Sequence, residues 1–255
     1  MAGRTADTLA LLRDEIRRME RHHAAAGMDA YLPTGFTALD EWLGGGLSRG
    51  RVHEFLGTGC DRALLARPTR FVAHVLARTP GQVVWLAAHH LNLHAAGLQG
   101  AGLAPGRLIC VQSETRDLLP LCEDILRERG IAALVCDLCV PLSLTASRRL
   151  QLAAESSGTT GFLLRPTTNG AVPPPSACET RWRIGAARPV SLNNVIGPEH
   201  WRIELLRSRD GRPFTWTYGL PGHATDPLDL ASPVAHGSVA ASPPAGEHRD
   251  GACAA

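Results

Sequence analysis

The chain has 255 residues and a formal net charge of +2, and its 44% apolar and 20% charged residues are ordinary for a globular protein. All 26 basic residues are Arg and Lys is absent, which excludes Schiff-base chemistry on a Lys amine and a complete phosphate-binding loop of the GxxxxGK[ST] type. The near-neutral balance does not mark a nucleic-acid binder, and no apolar run reaches the ~18 residues of a membrane span.

Residues 7–26 read as a helix. Asp7 can cap it, and Leu9, Leu12, Ile16 and Met19 recur on one face. That stripe suits a groove on a partner or on the chain's own core. Arg13 and Asp14 interrupt the apolar stretch, so no signal peptide is expected. The seven scattered cysteines read as reduced thiols, and the expected location is cytoplasmic.

Next, strand-like runs at 51–56, 82–88, 107–112, 131–138 and 160–165 alternate with helix-like stretches near 62–78, 90–98, 115–129 and 145–156. The alternation predicts an α/β fold with a mostly parallel, helix-covered sheet. Residues 166–178 are rich in Pro, Thr and Gly and read as a loop. Three runs of period two follow, on Trp182 and Ile184, on Trp201, Ile203 and Leu205, and on Phe214, Trp216 and Tyr218. Asp210-Gly211 between the last two is a hairpin signal. An antiparallel extension of the sheet is expected there. From 221 onward Pro, Gly, Ser and Ala dominate without periodicity, which predicts a disordered tail. The expected organisation is therefore an N-terminal helix at 1–28, a core at 29–220 and a tail at 221–255.

The segment 31–57 places Thr34-Gly35, Leu39-Asp40, Gly44-Gly45-Gly46 and Arg49-Gly50 before a strand that ends at Gly57. It resembles the opening of the RecA recombinase core, and the resemblance covers roughly residues 29–218. It implies a RecA-like core with an N-terminal helical extension. Under it, Gly57 opens the phosphate loop, and Asp137 stands at the metal-facing position of the second nucleotide motif. The loop then reads GTGCDRAL, with Arg62, Ala63 and Leu64 where a working loop has Gly, Lys and Ser or Thr. Arg crowds the turn that wraps phosphate, Ala supplies no charge, and Leu cannot hold Mg²⁺. The position of the family's catalytic Glu is Ala88. The nucleotide site is degenerate, and no catalysis, cofactor or metal is expected.

Among RecA relatives with such a site, the chain is similar to the ImuA family. The resemblance rests on the opening LPTGFTALDEWLGGGLSRGRVHE, on SSGTTGFLLRP at 156–166, and on the Arg/Trp pair ETRWRI and HWRIELLRSRDGRPFTW. It implies a non-catalytic accessory protein of SOS-induced mutagenic translesion synthesis. The implied partners are an ImuB-type inactive Y-family polymerase relative, an error-prone replicative-type polymerase complex and RecA. The alternatives are a SulA-like division inhibitor that binds FtsZ and a RecA-type DNA-dependent ATPase.

Residues 181–212 hold seven Arg against three acids, a local net of +4. Arg165, Arg181, Arg183, Arg202 and Arg207 are therefore candidates for weak DNA contact. Cys136-x-x-Cys139 lacks a second pair at ligand spacing and reads as structural. His90 and His94 lack the Glu of an HExxH motif, and together with His89 they read as a solvated helix start.

Overall fold

A computed structural model describes residues 30–58, 65–88, 90–91, 93–167, 173–186, 200–209 and 213–219. The helix at 7–26 with Leu9, Leu12, Ile16 and Met19, the loop positions Arg62, Ala63 and Leu64, and the tail lie outside them.

The fold is mixed α/β around one eight-stranded sheet. In chain order the elements are β1 (Tyr31–Leu32), α1 (Thr37–Leu43), β2 (Leu47–Ser48), β3 (Val52–Thr58), α2 (Ala66–Leu76), β4 (Gln82–Ala88), α3 (Ala95–Gly100) and β5 (Leu108–Ser113). There follow α4 (Leu118–Arg127), β6 (Ile131–Asp137), α5 (Leu144–Ser157), β7 (Thr160–Thr167), β8 (Thr180–Ala186), β9 (His200–Ser208) and β10 (Phe214–Gly219). The sheet order is β10-β9-β8-β3-β7-β6-β4-β5, and β1 pairs with β2 apart from it.

The parallel part is larger than the sequence reading expected. β8, the first of the three alternating runs, pairs parallel with β3 through His53↔Thr180 to Gly57↔Ile184. The antiparallel extension starts only at β9. The segment between β7 and β8 returns the chain to the start of the sheet, so β8 runs the same way as its neighbour. Pro166 and Thr167 belong to β7, and the described loop begins at Pro173. The helix expected at 90–98 forms at 95–100 instead.

Period two divides the central strands between two apolar layers. The first face buries Phe55, Trp85, Phe162, Trp182, Trp201 and Ile203 against α2 and the α1 region. Phe55 lies at its centre, with ring centroids 5.6 Å from Phe71, 6.0 Å from Phe162 and 6.2 Å from Trp182. The second face buries Val52, Val84, Leu86, Leu134, Cys136 and Leu163 beneath α4 and α5. Ser143 caps α5 by accepting the Ala146 amide at 3.1 Å.

The opening segment is tied by its own hydrogen bonds and packs Leu32, Leu39 and Leu47 into the first apolar layer. Asp40 reaches back from α1 and accepts the Thr34 amide and the Thr34 hydroxyl, each at 2.7 Å, and the Gly35 amide at 3.2 Å. Gly44 ends α1 in the left-handed conformation, φ 76°. Gly46, at φ 123°, leaves no room for a side chain: a Cβ there would lie 2.2 Å from the Leu32 carbonyl oxygen. The Thr-Gly, Leu-Asp and Gly-Gly-Gly series thus has a local structural cause. Asp40→Ala strips three hydrogen bonds and is expected to cost about 1–2 kcal/mol, read by urea unfolding. An unchanged midpoint would contradict the role given to this carboxylate.

Candidate functional site

In open α/β sheets, ligands bind beyond the carboxyl ends of the parallel strands. Here that edge carries Gly57 on β3, Ala88 on β4, Asp137 on β6 and Thr167 on β7. The Thr167 hydroxyl donates to the Gly57 carbonyl oxygen, tying the end of β7 to the point where a phosphate loop would begin.

Asp137 lies at the end of β6, in register with Ala87 of β4 and Leu164 of β7. Burial pushes its carboxyl up to about 6, and the indole of Trp85 offsets part of that rise. Among the described residues, no three His, Cys, Asp or Glu side chains cluster as metal ligands. Cys136 is buried beside Cys122, whose hydrogen bond and the burial raise its thiol well above the usual range, while Cys139 is exposed. His90 and His94 are both exposed.

The structure engages all five arginines proposed for DNA within the chain. Arg165 and Arg181 are buried on the second face, where both pair with Glu54, itself at 0% exposure. Arg181 Nε donates to Glu54 Oε2 at 2.7 Å, and the Ser176 hydroxyl donates to the same oxygen at 2.8 Å. Arg181 also donates to the carbonyls of Pro173 at 2.9 Å and Pro174 at 2.7 Å. Arg207 donates to the Ser176 carbonyl at 2.6 Å. Arg183 and Arg202 share Glu204 at 3.4 and 2.8 Å. Arg181 and Arg207 therefore pin the segment before β8 onto the sheet. Arg202 and Arg207 keep solvent exposure.

Glu54 and Ser176 were not singled out by sequence. The available signal was a pair of opposite charges, Glu54 and Arg165, inside two strand runs. His53 was missed as well. It is fully buried, with Nε2–H donating to the Ser48 carbonyl at 2.9 Å and Nδ1 2.8 Å from the Thr180 hydroxyl, which also receives the Trp182 indole N–H at 2.6 Å. Burial brings its imidazole down to about 4, with Arg51 adding to the effect. Cys178, near the Glu54 cluster, is pushed up to about 12 by burial and then by the Glu54 carboxylate.

The fold is that of a mixed α/β protein with a mostly parallel central sheet of eight strands. The chain is 40% identical over 215 residues to Protein ImuA of Caulobacter vibrioides, in two strains, covering 78% of this chain and 87% of the relative. It belongs to the ImuA family. No family model matches the chain.

Proposed function

We propose that this protein is a non-catalytic adaptor in damage-induced mutagenic translesion synthesis, working in the cytoplasm through protein surfaces. Its proposed partners are an inactive Y-family polymerase relative, an error-prone replicative-type polymerase complex and RecA. Family membership at 40% identity carries the reading and supports a role in damage-induced mutagenesis. A RecA-like core is the finer reading of the fold. It is supported by the glycine-rich opening before β3, the parallel sheet, and Asp137 at a strand end.

On a RecA-like core, Arg62, Ala63 and Leu64 stand where a working loop has Gly, Lys and Ser or Thr, which supports the non-catalytic reading. The purified chain is expected to give no ATP turnover above a no-protein control, with or without single-stranded DNA. Turnover that disappears in Asp137→Asn would overturn the non-catalytic reading. Direct DNA contact in this proposal rests on Arg202 and Arg207, since Arg165 and Arg181 spend their charge inside. Affinity capture from damage-treated cells tests the adaptor role: the Y-family relative or RecA is expected in the eluate, and recovery of neither would sink it.

A further inference from the structure

On the second face, α4 and α5 leave a depression of about 160 Å³ lined by Leu119, Pro120, Glu123, Ala146, Arg149 and Leu150. Next to it α5 exposes Leu144 (60%) and Leu152 (48%), two of the few large apolar side chains open to solvent among the described residues. Arg148 stands between them at helical spacing. It is exposed and makes no hydrogen bond or ion pair among the described residues. Arg149 is 65% exposed and reaches Glu123 at 2.7 Å, where Arg127 already supplies a second guanidinium. The surface is thus apolar at its base and basic at its rim. It fits a short segment that offers leucines and carboxylates together.

We propose that residues 226–230 of this same chain, outside the described residues, dock into that depression. They read Asp-Pro-Leu-Asp-Leu. After Leu220 this is the one place where leucines and carboxylates coincide. Leu228 and Leu230 supply the apolar part, and Asp226 and Asp229 match Arg148 and Arg149. Pro227 fixes one backbone angle and so lowers the cost of ordering the segment.

The topology brings the segment within reach. Gly219, the end of β10, pairs with His200. The adjacent Trp201 pairs with Ala186 at the carboxyl end of β8. The chain therefore leaves the sheet at the edge where the parallel strands end. The first turns of α4 and α5 stand at the same edge, because each helix follows a parallel strand. β7 and β6 lie about 19–24 Å across the sheet from β10 and the helix layer stands about 10 Å off it, a straight-line distance of about 21–26 Å. The nine residues from Gly219 to Leu228 span up to about 30 Å. Any acidic, leucine-bearing segment of another protein would have to displace this internal ligand. The inference stands independently of the adaptor role.

The test uses the full chain with a photo-crosslinking amino acid in place of Leu228. Cross-links within one chain to residues on the first turns of α4 and α5 are expected by mass spectrometry. Arg149→Glu should cut their yield about five-fold, through one lost ion pair and one new repulsion, and adding Asp229→Arg should restore most of it. Arg148→Glu, which breaks no contact among the described residues, is expected to reduce the yield while the far-UV circular dichroism spectrum stays that of the folded parent. This keeps the test decisive if Arg149→Glu unsettles α5. Cross-links elsewhere, yields indifferent to both charge reversals, or products joining isotopically light and heavy chains would each overturn the proposal. The last outcome would assign the surface to a second copy.

Discussion

Glu54→Ala is expected to lower the stability by about 3–5 kcal/mol, because it leaves two buried guanidiniums facing each other without a counter-ion. Glu54 sits at 0% exposure between Arg165 and Arg181. Its loss also frees the Ser176 hydroxyl and loosens the segment 173–178, which Arg181 holds through the Pro173 and Pro174 carbonyls. A packing account and a charge account predict different patterns in the partner variants. Arg165→Met keeps the volume and leaves a neutral pair of Glu54 and Arg181, so its cost should stay within about 1 kcal/mol. Arg181→Met removes the carbonyl bonds as well and should cost more. Denaturant unfolding followed by circular dichroism ranks the three. An Arg165→Met cost equal to that of Glu54→Ala would show that shape rather than charge balance governs the cluster.

The sequence made the alternation of strands and helices legible because apolar runs of strand length are bounded by turn residues. The run at 82–88 coincides with β4, and that at 131–138 differs from β6 by one residue. Direction was less legible. Trp182 and Ile184 alternate with Arg181 and Arg183, a pattern usually read as one buried and one solvated face. In the structure Arg181 is 5% exposed. Its charge is balanced by Glu54, 127 residues earlier in the chain. Hydropathy counts one residue at a time and cannot see a counter-ion on another strand. The same limit hid His53, whose ring nitrogens meet Ser48 and Thr180 in the interior while burial keeps the ring neutral. The glycine-rich opening was legible as a pattern. Its local cause, Asp40 bonding back to Thr34 and Gly46 pressed on the Leu32 carbonyl, needed coordinates.

Two buried groups pull the pH dependence of stability in opposite directions. His53 titrates near 4 in the fold and near 6.5 when unfolded. Between those values the unfolded chain binds more protons, so stability falls as pH drops through this window. Asp137 titrates near 6 in the fold and near 3.8 when unfolded. Between those values the native state binds more protons, so stability rises as pH drops. The windows overlap from about 6 to 4, and the two contributions largely cancel there. Asp137→Asn removes one side of the balance. At pH 7.5 the variant should be more stable than the parent by about 1–3 kcal/mol, since a carboxylate disfavoured by burial has been replaced by a neutral isostere. On acidification from pH 6.5 to 4 the variant should then lose about 3 kcal/mol through His53 alone, while the parent changes far less. Urea midpoints measured at half-unit pH steps give both curves. Parallel curves would show that Asp137 is ionised in the fold without penalty.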